Sequence, residues 1–215
     1  RLAHLLVRAR DTEHEPLAAT LAALLSERDL LRTRDPDMRT RLEALRGQAQ
    51  GADPGGLARV RDLARQLQRG GGAQASRAQR AAAASDNDAG MLLAWAYPDR
   101  IAQARGSGFR YLLSNGRGAV LEQASTLSGA AYLVALDLDD TEGAEARIRL
   151  AAPLTLAQIE TALPSQIREN VETWTDPRGA LQARRARRLG ALLLAEQRVA
   201  LDPSQVAGAL LEQVR

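Results

Sequence analysis

The 215-residue sequence contains no cysteine and no lysine. The first absence excludes disulfides, thiolate nucleophiles and cysteine-held metals. The second leaves arginine as all 29 basic residues. That usage follows from a GC-rich coding sequence and is neutral about function, although guanidinium forks suit any phosphate site. Histidine is scarce: His4 and His14 share one N-terminal stretch, which argues against a histidine-based catalytic or metal centre. Aromatics make up 3%, so alanine, leucine and valine have to build most of a core. No apolar run approaches the ~20 residues of a membrane span, and no signal peptide opens the chain. The Gly70-Gly71-Gly72 triplet lacks the lysine that a phosphate-cradling loop requires, and there is no Gly-x-Ser-x-Gly elbow. An independent enzyme therefore finds no nucleophile–base pair and no ligand set here.

What is present is globular. Hydrophobic residues are 45%, and this length suits one large or two small domains, able to bury roughly 70% of the unfolded surface. The net charge of +3 is too small to mark a polyanion partner by itself. The chain opens at Arg1, not Met, and closes at Arg215, both inside helical patterns, so it reads as a piece of a longer polypeptide.

The first half has helical period. Leu17, Leu21, Leu24, Leu25 and Leu31 recur at three-to-four spacing, with Thr12 and Glu15 as a capping box ahead of Pro16. Asp35-Pro36 and Asp53-Pro54 each offer an N-cap followed by proline at the first helical position. They precede Leu42 and Leu45, and Leu57, Val60, Ala64 and Leu67, respectively. Low-complexity sequence runs from Gly70 to Gly90, and a last helix is predicted over about Met91–Ala104.

The second half has strand period. Phe109–Leu113 leads through Asn115-Gly116, a hairpin signal, into Val120-Leu121. Ala130–Leu138 has the apolar run of a buried strand, and Arg147–Leu150 alternates as a half-buried one does. Thr155 and Gln158 cap a short helix that Pro164 ends. Further strands are predicted over 171–174, 180–188 and 191–199, and a final helix from Asp202-Pro203. Helices followed by short antiparallel strands imply an α+β chain with segregated units, a helical bundle and then a small barrel or sandwich, not alternating βαβ units.

Two charge runs invite chemistry. Asp137, Asp139, Asp140 and Glu142 fail the spacing of a calcium loop, which needs oxygen at its fifth position and glycine at its sixth. Thr141 and Glu142 stand there, so the run reads as a solvated turn. Arg184, Arg185, Arg187 and Arg188 form the densest cationic cluster. One reading is a phosphate-binding stripe that releases counterions; the other is an edge strand blunted with charge. Pattern alone leaves both open. Trp95, Tyr97, Phe109 and Tyr111 could stack on bases, but in a chain this poor in aromatics core packing is the default.

One block carries a resemblance. The segment Leu92-Leu93-Ala94-Trp95-Ala96-Tyr97-Pro98-Asp99-Arg100-Ile101-Ala102-Gln103 continues through Arg110-Tyr111-Leu112-Leu113-Ser114-Asn115-Gly116-Arg117-Gly118-Ala119. The pattern resumes at Tyr132–Ala135 and at Ala146–Leu154. It resembles the HrpB-type, DEAH-box-like ATP-dependent helicases, as do Arg1–His4, Leu21–Asp29, Leu189-Gly190 and Leu210–Glu212. Residues 47–88 match nothing in that pattern. The resemblance implies a helical-bundle, ratchet-like domain over 1–104. Over 105–215 it implies an oligonucleotide-binding (OB-like) barrel with a C-terminal helix, incomplete at its end.

The same resemblance implies a function: a nucleic-acid-binding accessory region beside a RecA-like ATPase core that this chain does not contain. ATP and Mg²⁺ would belong to that core, leaving no cofactor, no catalytic residue and no metal here. The implied partners are single-stranded RNA or DNA and the RecA-like domains of the same polypeptide, in the cytoplasm and away from membranes. The candidate contacts are Arg100, Arg105, Arg110, Tyr111 and Arg117, around the bundle-to-barrel junction where such barrels bind, and Arg184, Arg185, Arg187 and Arg188. The rival reading is a structural or protein-interaction module that braces the helicase core without touching nucleic acid.

Overall fold

The computed structural model describes residues 1–31, 33–70, 85–106, 109–122, 124–139 and 145–200. Gly71 and Gly72 of the glycine triplet, much of the low-complexity stretch, residues 140–144 of the acidic run and the helix expected from Asp202 lie outside them. The described chain is α+β, with six α-helices, a closed five-stranded barrel and a second, three-stranded sheet. None of the described helices is long and apolar enough to cross a membrane.

Four helices come first: α1 (Leu2–Ala9), α2 (Glu15–Ser26), α3 (Met38–Leu45) and α4 (Pro54–Gly70). Their starts test the cap signals individually. Asp53 caps α4 as its spacing predicts, its Oδ2 accepting from Gly56 N at 2.7 Å. Thr12 does not cap α2. Its hydroxyl donates to the Ala9 carbonyl at 2.6 Å, closing α1 instead. The cap of α3 is Asp37 rather than Asp35, because the Pro36 carbonyl is drawn off to accept from Ala151 N of the barrel at 2.8 Å.

The helix expected over 91–104 is shorter. α5 spans Ala89–Ala96, and a 3₁₀ turn at Pro98–Arg100 follows. Ile101–Ala104 is then β1, the first barrel strand. Pro98 disfavours a helical Tyr97, which sits at φ −132°, ψ 54°. Burial of Ile101 and Ala102 between the strands Arg110–Leu113 and Tyr132–Asp139 decides the rest.

The other barrel strands are β2 (Arg110–Leu113), β3 (Gly118–Val120), β4 (Tyr132–Asp139) and β5 (Glu145–Leu154), in the order β1-β2-β3-β5-β4. All pairs are antiparallel except β3 with β5, whose parallel contact completes the ring. The β2–β3 hairpin turns through Ser114, Asn115 and Gly116, with Gly116 left-handed at φ +89°. Tyr111, Leu113, Leu127, Leu133, Ile148 and several alanines fill the interior.

α6 (Leu156–Ala162) begins with the predicted Thr155–Gln158 capping box. The antiparallel sheet β6 (Ile167–Thr175), β7 (Leu181–Leu189) and β8 (Leu192–Arg198) follows, with β7 central. A single core joins the helices, the outer side of the barrel and Leu189, Leu192 and Leu194 of this sheet. α5 lies at its middle, against α1, α2, α6 and β5.

Candidate nucleic-acid interface

The barrel candidates separate into outside and inside. Arg105 is exposed after β1 and has no carboxylate partner among the described residues; its backbone N donates to the Arg110 carbonyl at 2.9 Å. Arg110 points outward, its Nε 3.5 Å from Glu145. In register, Arg110 lies beside Val120 and Val120 beside Arg147, so the two arginines share a row across the outer wall. Arg147 meets Glu122 at 2.6 Å, and Arg149 pairs with Asp139. Arg117 is half-exposed at the end of the β2–β3 turn. Arg100 instead donates to the Leu136 carbonyl at 2.9 Å and lies 5.6 Å from the centroid of the Tyr97 ring.

Tyr111 is on the other side of the wall. It is 1% exposed in the barrel interior. Its hydroxyl reaches the Leu127 and Ala130 carbonyls at 3.5 and 3.4 Å, and burial raises its pKa. The ring cannot stack on a base. Strand parity puts Tyr111 and Leu113 inward and Arg110 outward, so the aromatic and the cation are never on one surface.

The β7 arginines are largely committed to carboxylates. Arg184 binds Glu172 at 2.8 Å and Glu196 at 2.6 Å. Arg188 also binds Glu172, reaching Oε2 at 3.2 Å, and Arg187 binds Glu160 of α6 at 2.7 Å. Arg185, half-exposed, lies 3.4 Å from Glu169. β7 is the middle strand, so the blunted-edge reading fails. The charges make a cross-strand truss within the sheet.

Glu172 is the centre of that truss. Hydrogen bonds from Arg188 and Arg184 hold its pKa at about 2, against an ordinary 4.5. A carboxylate with a lowered folded-state pKa contributes stability that is present above its unfolded value and lost as pH falls through the folded one. Acid should therefore loosen this sheet between about pH 4.5 and 2. Glu172→Gln should flatten that part of the unfolding-stability profile measured against pH, and an unchanged profile would contradict the assignment.

Among the described residues the most buried ionic groups lie elsewhere, where the helices join the barrel. Asp37 is 2% exposed. Its carboxylate accepts from Arg39 N at 2.9 Å, from the Arg39 guanidinium at 2.6 Å and from the Thr126 hydroxyl of the β3–β4 connection at 2.8 Å. Arg41 is 4% exposed; it binds Asp29 at 2.8 Å and donates to the Asp35 and Asp37 carbonyls. Sequence reasoning missed this joint. The signal available was Asp-Pro-Asp with two arginines close behind, which reads equally well as a cap.

Beside the joint a cleft of about 780 Å³ separates the helices from β4 and β5. Arg34, Arg41, Arg147 and Arg149 line it, matched by Glu27, Asp29, Glu122 and Asp137. Cations and carboxylates balance, so the cleft does not select phosphate.

No family model matches the chain. It is 32% identical over 208 residues to the ATP-dependent RNA helicase HrpB of Escherichia coli strain K12, covering 95% of the chain and 23% of the relative. A crystal structure of the E. coli DExH-box NTPase HrpB superposes with a TM-score of 0.69 at 27% identity, over 94% of this chain and 23% of that one. A second, of the E. coli DEAH/RHA helicase HrpB, gives 0.72 at 25% identity over 98% and 24%. The chain thus spans about a quarter of the length of the proteins it matches. The chain is homologous to one segment of the HrpB helicases, and its fold is the fold of that segment.

Proposed function

We propose that the chain guides a single nucleic-acid strand along the outer wall of its barrel, as an accessory region of an ATP-dependent helicase. The observation that carries this is the charge of that wall. Among the described residues, Arg105, Arg110, Arg117, Arg147 and Arg149 stand with Glu122, Asp137, Asp139 and Glu145, one cation more than carboxylates, on a small barrel, an architecture that can bind oligonucleotides. The closed five-stranded ring supports an OB-like reading, and the preceding helices a ratchet-like one. The division into a helical and a β-rich unit near residue 104 belongs to the same proposal, with β1 given to the barrel. In the parent, ATP and Mg²⁺ would act in RecA-like domains outside this chain, and closure of those domains would draw the strand across the wall. Arg100 would set the rim through the Leu136 carbonyl.

For the β6–β8 sheet the second reading is favoured. Its arginines Arg184, Arg185, Arg187 and Arg188 face carboxylates, which suits a brace within the helicase.

The test is binding of single-stranded RNA and DNA oligonucleotides by fluorescence anisotropy at ~50 mM salt. Arg105→Glu with Arg110→Glu should lower affinity about tenfold or more and reduce the salt slope by about 2. Charge reversal at Arg184 and Arg185 should change it little. Wild-type binding no stronger than that of a neutral control protein would overturn the proposal.

A further inference from the structure

We propose that β6 is a docking edge for a second copy of this chain, joining two three-stranded sheets into one. β6 runs nine residues in unbroken register with β7, from Ile167 opposite Leu189 to Thr175 opposite Leu181. Among the described residues no strand pairs with the outer side of residues 167–174. The opposite margin of the sheet is tied down: Gln103 Nε2 donates to the Leu193 carbonyl at 2.9 Å, and Ala191 N to Ser114 O at 2.8 Å. A long, regular, unpaired edge is a template for another strand.

β6 keeps charged residues, Arg168, Glu169 and Glu172, but lacks two other usual protections of such an edge. It has no proline and no bulge. Its carboxylates pair with arginines of β7, Glu172 with Arg184 and Arg188 and the exposed Glu169 with Arg185. Meanwhile Val171 and Trp174 stand 44% and 39% exposed, two of the three most exposed large hydrophobics among the described residues. Nucleic acid cannot add to a strand edge through backbone hydrogen bonds, but a polypeptide strand can.

The occupant follows from self-complementarity. In an antiparallel pair around a two-fold axis at Val171, each residue meets its mirror partner on the same face of the sheet. Val171 then meets Val171 of the second copy. Arg168 meets Trp174, a cation against a ring that already carries Arg184 at 5.3 Å. Asn170 meets Glu172, Glu169 meets Thr173, and no like charges face each other. Shifting the axis to Glu172 sets two glutamates opposite one another, which is destabilising. Shifting it to Asn170 leaves Trp174 uncovered and puts Glu169 against valine. The axis at Val171 covers both exposed hydrophobics, and such a two-fold contact closes after two copies.

Sedimentation velocity of the full chain over a wide concentration range tests this. The wild type should pass from monomer to dimer as concentration rises. Val171→Arg and Val171→Glu each place like charges on the axis and should each weaken association by about tenfold or more. Mixed together they should associate again, because arginine then faces glutamate. Circular dichroism of each variant alone controls for folding. A wild type that stays monomeric throughout overturns the proposal and leaves the edge to a strand of some other polypeptide. So does a dimer that neither variant disturbs. Neither result bears on the barrel, whose arginines the oligonucleotide assay reads separately.

Discussion

Gly90→Ala should cost about 3 kcal/mol or more and lower the melting temperature by about 10 °C, although alanine is the better helix former. Gly90 is the second residue of α5, where the helix crosses β5. A methyl group there would lie 2.0 Å from the Pro153 carbonyl oxygen and 3.0 Å from its carbon. Both are backbone atoms of a barrel strand and cannot swing aside. The helix would have to retreat, opening space around Leu92, Leu93 and Ala94, all fully buried. The intrinsic gain from alanine, about 1 kcal/mol, is too small to offset that. Gly55 in α4 is the internal control. A methyl group there meets only side-chain atoms at 3.4 Å and beyond, so Gly55→Ala should be neutral or stabilising by up to about 1 kcal/mol. Calorimetric melting of the two variants would settle it, and a Gly90→Ala protein that melts with the wild type would mean that α5 does not press on β5.

The contrast between these glycines shows what the sequence could and could not reveal about the fold. Local chemistry was legible: Asp53-Pro54 starts α4, Thr155 and Gln158 cap α6, and Asn115-Gly116 turns a hairpin. So was the change from helical to strand period and, with it, the α+β order. What distant chain decides was not. Ile101-Ala102-Gln103-Ala104 is too short to show a period, and only its pairing with β2 and β4 makes it a strand. The parallel contact of β3 with β5 closes the barrel between residues 118–120 and 145–147, a pairing no local signal announces. Pro36 loses its predicted role because its carbonyl serves the Ala151 amide.

The candidate site divides the same way. Arginine density was visible at once, but how far a guanidinium group is committed depends on the carboxylates that the fold brings to it and on how exposed it stays. Glu160, Glu172 and Glu196 come from α6, β6 and β8 to meet β7, so most of the densest cluster in the sequence is tied to carboxylates. Arg105 and Arg110, outside any dense run, end up beside each other at the barrel rim. For Tyr111 the alternation of β2 was already readable, and it favours the core, the default for a chain with so few aromatics.

Asp37→Ala should be the other severe substitution, at about 3 kcal/mol. Three functions meet in one carboxylate that is 2% exposed. It caps α3 through the Arg39 amide at 2.9 Å, which is worth about 1 kcal/mol. It holds the Arg39 guanidinium at 2.6 Å, and it takes the Thr126 hydroxyl at 2.8 Å. Alanine removes all three and strands a cation that is only 29% exposed. Asp37→Asn keeps an oxygen for the cap but loses the charge, and should cost about half as much. Thr126→Val severs only the tie to the β3–β4 connection and should cost about 1 kcal/mol. Because Thr126 donates to Asp37 itself, Asp37→Ala with Thr126→Val should cost less than the two separately, by roughly 0.5 kcal/mol or more in a double-mutant cycle of chemical denaturation. Strict additivity would show that the two groups act independently. If Asp37→Ala moved stability by less than about 0.5 kcal/mol, the ordinary range for a surface change, this carboxylate would not be what fastens the helices to the barrel. The position of the arginine wall would then rest on apolar packing alone.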